Sequence, residues 1–224
     1  MIYAMLEYNG FEIHWIGHDG FRIVNNNNKN IIYIDPFQLT NKQKGRNDAD
    51  IMLLSHNHFD HLSLEDLREL VNRNTEIVAA KECLENFQGL PVSKIIPLMP
   101  GERTTIKGVS IEAVRAYNTN KKFHPKEDNK IGYIIGVDTT RIYHAGDTDI
   151  IPEMERVDPD IALVPVSGTY VMTADEAAKA INEIIKPRKF AIPMHYGAIV
   201  GSKEDAEKFK GLVKVCPVKI LDKE

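Results

Sequence analysis

The sequence is poor in cysteine and has no concentrated block of charge. Its 224 residues include two cysteines, Cys83 and Cys216, which lie far apart without CxxC spacing, so we expect free thiols in a reducing compartment rather than a disulfide framework. Lysine and arginine number 28 against 32 aspartates and glutamates, and there is no basic tail. Broad electrostatic capture of nucleic acid is therefore disfavoured.

Long apolar runs are also missing. No segment approaches the ~20 apolar residues of a membrane span. The opening MIYAMLEYNGFEIHW lacks the basic flank and apolar core that are typical of a signal peptide. We therefore expect a cytoplasmic protein without a membrane partner, and 224 residues are enough to bury a substantial core.

Short apolar segments separated by turn signals predict a mixed α/β fold. Strands are predicted at 11–17, 20–24, 31–35, 51–55, 76–80, 109–117, 131–137, 141–145, 161–166, 190–194 and 217–221. Helices are predicted at 63–73, 81–87, 174–186 and 203–213, the first capped by Ser63 with Asp66 at the capping-box position. Asparagines 25–28 lie between two strands and indicate a hairpin turn, because asparagine tolerates positive φ.

The chain also repeats itself at a spacing of 110 residues. In one register, IIYID at 31–35 aligns with RIYHA at 141–145, DADIMLL at 48–54 with DPDIALV at 158–164, and LSLEDL at 62–67 with MTADEA at 172–177. The unit is much longer than a solenoid repeat, so it indicates two half-domains. If each half is a sheet with helices on its outer face, the predicted architecture is a four-layer αβ/βα sandwich.

The stretch SHNHFDH at 55–61 holds three of the eight histidines. It follows the apolar strand IMLLS and precedes the helix that begins after Ser63, which places it on a strand-to-helix loop. Imidazole nitrogens and a carboxylate oxygen are donors that zinc, iron and manganese accept. His56, His58, Asp60 and His61 are therefore candidate metal ligands.

Two later segments repeat this arrangement of an apolar strand that ends in a potential ligand. In YHAGDTD, Asp147 stands just past the strand 141–145, and Ala145 and Gly146 leave room for a close approach. In AIPMHYG, His195 ends the strand 190–194. Alone, each residue is more typical of a cap or a satisfied polar group than of a ligand, but their order along the chain adds weight.

The HxHxDH, the later GD and the strand-end histidine resemble the ligand series of the metallo-β-lactamase superfamily, whose fold is the αβ/βα sandwich. WIGHDGFRI at 15–23, YIDPF at 33–37 and PVSGTYVMTADEAA at 165–178 resemble, more narrowly, the small metal-dependent hydrolases related to ascorbate-6-phosphate lactonases. The resemblance covers nearly the whole chain, so residues 1–224 are expected to form one hydrolase domain. It implies His56 and His58 on one metal, Asp60, His61 and His195 on the other, and Asp147 bridging both.

One ligand departs from the superfamily pattern. Where a further histidine is general, VRAYNTNKKFHPK puts Asn118 at the strand end and His124 six residues later. Either His124 reaches back from the loop to complete the first metal site, or Asn118 supplies a weaker oxygen ligand. Because imidazole is the better donor, His124 is the preferred assignment.

Other residues are expected around the ligands. His18, in the turn GHDGF, is a site candidate because the resembling group has a histidine there, and a structural role in the turn is the alternative. Asp35 is expected to orient a ligating imidazole, as carboxylates commonly do through the free N–H, unless it only ends a strand. Thr169 and Tyr170 are pocket candidates by their position opposite HNHFD in the repeat.

This composition predicts hydrolysis at a dinuclear site, with a metal-bound hydroxide as the nucleophile and with Asp60 and Asp147 holding it. The expected cofactors are two divalent ions, zinc first, with manganese or iron as alternatives, and the expected substrate is a small anionic ester, lactone or phosphodiester. Lys121, Lys122 and Lys126 are candidates for binding the anion. A nuclease acting on RNA or DNA ends and a metal-binding module without catalysis are the alternatives. A homo-oligomer is expected by analogy with the resembling group.

Overall fold

The computed structural model describes residues 2–224, and strands dominate it. They are β1 (Ile2–Tyr3), β2 (Leu6–Tyr8), β3 (Phe11–Gly17), β4 (Gly20–Asn25), β5 (Ile31–Ile34), β6 (Ile51–Leu54), β7 (Glu76–Ala80), β8 (Lys94–Leu98), β9 (Arg103–Ile106), β10 (Val109–Arg115), β11 (Ile131–Val137), β12 (Thr140–His144), β13 (Ile161–Pro165), β14 (Phe190–Met194) and β15 (Ile220–Leu221). The α-helices are α1 (Leu64–Leu70), α2 (Ala174–Lys179) and α3 (Lys203–Leu212). The described residues divide into two compact units: an N-terminal unit of residues 4–99 and 221–224, and a C-terminal unit of residues 2–3 and 100–220.

The N-terminal unit is built on a seven-stranded sheet in the order β2-β3-β4-β5-β6-β7-β8. Strands β2 to β5 pair antiparallel, and β5 to β8 pair parallel. The central strand IMLL at β6 is fully buried, as expected for a parallel strand covered on both faces.

The C-terminal unit has a six-stranded sheet in the order β14-β13-β12-β11-β10-β9. Strands β9 to β12 pair antiparallel and β12 to β14 pair parallel, the same mixed pattern as in the N-terminal unit. Its fully buried central strand is IALVP at β13. The central parallel strands β6 and β13 are therefore continuous apolar runs seen in the sequence.

The predicted 110-residue repeat is present in the backbone pairing. In the N-terminal unit Ile32 pairs with Ile51, and in the C-terminal unit Ile142 pairs with Ile161. The side chain of Asp50 accepts a hydrogen bond from the Ile31 N–H at 2.9 Å, and 110 residues later Asp160 accepts from the Arg141 N–H at 2.9 Å. The sequence register and the hydrogen-bond register therefore agree.

Four strands were not predicted: β1, β2, β8 and β9. Strands β2, β8 and β9 are edge strands. In β8, KIIPL, one residue of five is buried, and in β9, RTTI, one of four. An edge strand with little burial has no need of the continuous or alternating apolar pattern by which strands are recognised. The strand predicted at 217–221 shrinks to β15.

The helices are shorter or tighter than predicted. Residues 81–87 form a 3₁₀-helix, and the segment 174–186 is α2 followed by a π-helical stretch, Ala180–Ile185. Ser63 caps α1 by accepting from the Asp66 N–H, but the Asp66 carboxylate accepts from the backbone of Gln38 and Leu39, so the reciprocal capping-box bond is replaced. Within residues 2–224, no helix has both the length and the apolar character that crossing a bilayer requires.

The asparagine run does form the connection of an antiparallel hairpin, between β4 and β5. The reason for its composition differs from the one predicted. Asn25 Oδ1 accepts from the Asn27 N–H at 2.8 Å and Asn28 Oδ1 from the Asn30 N–H at 3.0 Å, whereas the positive φ, 64°, falls on Lys29. The asparagines act through side-chain turns to the backbone rather than through left-handed φ values.

Candidate metal centre

Each unit gathers polar residues at one edge of its sheet. In the N-terminal unit Asp35 and Ser55 follow the adjacent parallel strands β5 and β6. In the C-terminal unit Ser167 and His195 follow the parallel strands β13 and β14, and Asp147 follows β12. Because parallel strands end at the same edge, the topology alone collects these side chains.

Asp35 is the hub of the N-terminal cluster. It is fully buried, and its Oδ1 accepts from the Ser55 N–H at 2.8 Å. Its Oδ2 accepts from the Ser55 hydroxyl at 2.5 Å and from His61 Nδ1 at 2.9 Å. The predicted contact between Asp35 and a candidate ligand is therefore present, and a backbone φ of 40° at Asp35 aims the carboxylate.

These bonds fix the protonation of two imidazoles. An ionised carboxylate only accepts, so Ser55 uses its single proton on Asp35 and its oxygen is left as an acceptor for His56 Nδ1, 3.0 Å away. His61 likewise donates from Nδ1 to Asp35. Both rings, when neutral, therefore have their lone pair on Nε2, the nitrogen that would ligate a metal.

His18 and Asp60 complete this cluster. His18 Nε2 lies 3.0 Å from Asp60 Oδ2, and the same oxygen is 3.8 Å from His61 Nε2. His18 has a φ of 51°, and its carbonyl accepts from the Trp15 indole at 2.8 Å, which holds the turn in place. His58 contacts His56 edge-to-face, with ring centroids 4.5 Å apart. The candidate residues on this loop thus lie together.

In the C-terminal unit, His124 reaches back to Asn118. The Asn118 N–H donates to the His124 carbonyl at 2.7 Å, and Asn118 Oδ1 accepts from the backbone N–H and from Nδ1 of His124, at 3.0 and 3.1 Å. The Asn118 amide nitrogen donates to the Tyr170 carbonyl at 2.9 Å, which fixes the orientation of the amide group. The amide oxygen of Asn118 therefore points to the imidazole and holds its Nδ1–H.

Asp147 lies between two imidazoles of the same unit. His124 Nε2 is 3.2 Å from Asp147 Oδ2, and His195 Nε2 is 3.3 Å from Asp147 Oδ1. Ser167 Oγ contacts His195 Nδ1 at 2.9 Å and so sets the rotation of that ring. Gly146 allows the approach, because its φ is 62° and a Cβ there would lie 2.9 Å from the Ile131 carbonyl oxygen.

This donor set fits a divalent metal. A neutral His124 that donates from Nδ1 to Asn118 has its lone pair on Nε2, which faces a carboxylate oxygen of Asp147. Two electron-rich atoms at 3.2 Å repel each other unless a proton or a cation lies between them. Neutral imidazole and carboxylate are the donors that zinc, manganese and iron prefer.

Two of the three lysines in and just after the segment 118–124 already bind carboxylates. Lys121 Nζ lies 2.5 Å from a carboxylate oxygen of Asp149. Lys126 binds the Tyr117 hydroxyl and Glu153, both at 3.2 Å, and these hydrogen bonds raise the pKa of Lys126. Lys122 and Lys126 are both exposed, but carboxylates already neutralise Lys121 and Lys126, which opposes the predicted use of these two lysines for anion binding.

Four polar residues around the ligands were missed from the sequence. They are Asp19, Ser55, Ser167 and Asp149. In the N-terminal unit, ligand atoms of Asp19, Asp35 and His61 lie within 4.8 Å of one another. Asp149 accepts from the backbone of Thr119 at 2.8 Å. A serine beside a candidate histidine, as Ser55 is beside His56, was the one available signal for a residue that holds Nδ1. Of the pocket candidates, Tyr170 contacts Asn118 through its carbonyl, while Thr169 is exposed.

Comparison with known proteins gives the family. The model of the beta-lactamase superfamily domain matches residues 12–195. A UPF0173 metal-dependent hydrolase from Thermococcus onnurineus is 34% identical over 213 residues, which cover 90% of this chain and 92% of that protein. A UPF0173 metal-dependent hydrolase from Pyrococcus horikoshii matches with the same identity and coverage.

Solved structures agree on the fold. A protein from Parabacteroides distasonis matches with a TM-score of 0.81 at 31% identity, covering 97% of this chain and 98% of that one. Igni18, a metallo hydrolase from Ignicoccus hospitalis, matches with a TM-score of 0.71 at 25% identity over 94% of each chain. YhfI from Bacillus subtilis, at 13% identity over 94% of this chain and 95% of that one, shares the metallo-β-lactamase fold with a TM-score of 0.69. The predicted superfamily and fold class are confirmed, and the chain belongs to the UPF0173 metal-dependent hydrolases of the β-lactamase superfamily.

Proposed function

We propose that this chain hydrolyses a small anionic ester, lactone or phosphodiester with two divalent metals, zinc first and manganese or iron as alternatives. On the ligand order of the superfamily, the proposed ligands are His56, His58 and His124 for one metal, Asp60, His61 and His195 for the other, and Asp147 for both. Metals held there would acidify a coordinated water and polarise the scissile carbonyl or phosphoryl oxygen.

The observation that carries the proposal is the orientation of the imidazoles. Asp35 and Ser55 hold Nδ1 of His61 and His56 in one unit, and Asn118 holds Nδ1 of His124 in the other. Hydrogen bonds to Nδ1 select the tautomer that ligates through Nε2 and raise the basicity of the ring. Merely solvated histidines would not need buried acceptors on Nδ1.

Within this proposal the carboxylates have two roles. Asp60, which is held by His18 at 3.0 Å, positions the attacking water and accepts its proton. Asp147 shares both roles. The small-molecule substrate, a homo-oligomeric state and the cytoplasmic location remain proposals made from the sequence. Nothing in the charge of the chain, −4, favours the nuclease alternative.

The test is turnover of bis(p-nitrophenyl) phosphate and γ-butyrolactone by metal-loaded wild type, His58→Ala and Asp147→Ala. We expect both variants to lose activity by at least about a thousandfold, as losing a ligand or a shared carboxylate should. His14→Ala is the matched control, because His14 contacts Glu12 at 3.0 Å and lies outside the ligand series. Full activity in either ligand variant, with its folded state intact by circular dichroism, would refute the assignment.

A further inference from the structure

An exposed aromatic pair stands next to a proposed ligand of the C-terminal unit. Phe123 immediately precedes His124 and is 50% exposed, although large apolar side chains are mostly buried in this protein. Its ring meets that of Tyr170 edge-to-face, with centroids 4.6 Å apart. The pair therefore presents apolar surface beside an imidazole that faces Asp147.

The exposure of Phe123 does not come from a loose loop. Three contacts join Asn118 to His124 and close the segment. One hydrogen bond links the two backbones, a second runs from the His124 backbone N–H to the Asn118 side chain, and the third contact joins the His124 ring to the same side chain. The Thr119 N–H donates to Asp149, which also holds Lys121. A ring held on such a base loses little conformational entropy when a ligand covers it, which favours binding.

The two aromatic residues share a foundation with the ligand. Asn118 holds the imidazole of His124 through its amide oxygen and the backbone of Tyr170 through its amide nitrogen. The same residue thus fixes the distance between the aromatic pair and the proposed ligand. The aromatic pair and the proposed ligand are therefore held by one residue.

The nearby charges do not favour a strongly anionic contact at the pair. Lys121 is neutralised by Asp149 and lies 3.8 Å from Glu176, and Lys126 is bound to Glu153. Lys121 and Lys126 are thus engaged, whereas Lys122 is exposed; the rings themselves offer dispersion and hydrophobic contact rather than charge attraction.

The ligand loop of the N-terminal unit has the same feature. Phe59 immediately precedes Asp60, is 69% exposed, and contacts the Phe37 ring edge-to-face with centroids 5.9 Å apart. Each unit thus exposes a phenylalanine at the position directly before a proposed ligand. Because an exposed phenylalanine precedes a proposed ligand in two different loops, we expect both phenylalanines to serve the same purpose.

We propose that Phe123 and Tyr170 form a subsite for an apolar group, alkyl or aryl, of the substrate. The proposal rests on the hydrolase function proposed above, and it adds that the acyl or leaving group of the substrate carries an apolar part. The rings cover one side of that part, and Phe123 provides most of the surface that excludes water.

The test is the affinity of metal-loaded protein for butyrate, hexanoate and octanoate, measured by calorimetry. These carboxylates mimic a hydrolysis product with a growing apolar tail. Wild type should bind about twofold more tightly per added methylene. This corresponds to half the free energy of fully burying a methylene, since the rings cover one side. In Phe123→Ser the affinity should be nearly independent of chain length, and in Phe123→Leu the dependence should be intermediate.

Val215→Ser is the control, because Val215 is 49% exposed in the same unit and lies outside the ligand loops. A chain-length dependence that persists unchanged in Phe123→Ser would overturn the subsite, and so would its absence in wild type. If Phe123→Ser instead dissociates an oligomer during sedimentation and leaves that dependence intact, the pair is an interface between copies and the proposal is wrong. Chain-length-dependent binding without any turnover would uphold the subsite and count against the hydrolase function alone.

Discussion

Replacing Asn118 tests whether this residue positions His124 or ligates a metal itself. Asn118→Ala removes the acceptor for the His124 backbone N–H and for Nδ1, at 3.0 and 3.1 Å, and the donor to the Tyr170 carbonyl at 2.9 Å. At about 1 kcal/mol per hydrogen bond, and more for the buried donors left without an acceptor, the free energy of unfolding should fall by about 2–4 kcal/mol. The metal affinity should fall about 10- to 100-fold, as for other residues that orient a ligating histidine.

Asn118→Asp separates the two roles. The carboxylate keeps an acceptor for both N–H groups of His124 but places an oxygen against the Tyr170 carbonyl. The unfolding free energy should therefore still fall, by about 1–2 kcal/mol, while metal affinity stays near that of wild type.

The measurements are urea unfolding of the metal-free proteins and competition with a chromogenic chelator for zinc. His124→Ala is the third variant and should lose one metal site. Wild-type metal affinity in both Asn118→Ala and His124→Ala would show that neither residue contributes to a metal site. Weak binding in Asn118→Ala with normal binding in His124→Ala would make the amide oxygen the ligand.

Three further predictions concern one residue that holds a ligand and two positions that stabilise the fold. Asp35→Asn, which keeps the shape and tolerates the φ of 40°, should remain folded but bind zinc about 10- to 100-fold more weakly in the chelator assay. Burial alone would raise the pKa of Glu224, but hydrogen bonds from Arg22 and Arg46 lower it from 4.5 to about 2. Glu224→Gln should therefore lower the unfolding free energy by about 1–3 kcal/mol at pH 7. Because a lowered carboxyl pKa stabilises above the unfolded value, this deficit should shrink as pH falls from 4.5 toward 2 in urea titrations. Gly132→Ala would place a Cβ 2.5 and 2.6 Å from two carbonyl oxygens of the neighbouring strand segment and should lower the midpoint of thermal unfolding by several degrees.

Each of these has a contrary result. Unchanged zinc affinity in Asp35→Asn would remove that carboxylate from the site, and a Glu224→Gln deficit that is constant between pH 7 and 3 would show that its charge is not the cause. Gly211→Ala is the control for Gly132→Ala, because no atom lies within 4 Å of the added Cβ in helix α3. Equal effects of the two glycine substitutions would contradict the steric argument.

The parallel core of each unit was predictable because burial on both faces leaves no other pattern than a continuous apolar run. The parallel strands 76–80 and 190–194 are found with the predicted bounds, as are the antiparallel strands 11–17 and 131–137. The 110-residue repeat was also readable from the sequence. Its two copies preserve one local hydrogen bond, accepted by Asp50 in one unit and by Asp160 in the other. Edge strand β9 was not readable, because its residues are mostly exposed.

The candidate ligands were readable as residue types, but the residues that hold them were not. Asn118 and His124 are six positions apart, and only the fold decides that an amide oxygen meets Nδ1 rather than a metal. The position of Ser55 beside His56 was the one available signal, but it did not specify the role, which depends on Ser55 donating its one proton to Asp35. Hydrogen-bond direction is a property of three-dimensional neighbours, and spacing along the chain does not specify it.

Elemental analysis of the reconstituted protein shows whether the predicted series of histidines and aspartates binds two divalent metals. Metal per chain should be counted in wild type, in His124→Ala and in the control His14→Ala under matched conditions. We expect two metals per chain in wild type and in the control, falling toward one in His124→Ala. Wild type that holds no metal after reconstitution would contradict this expectation.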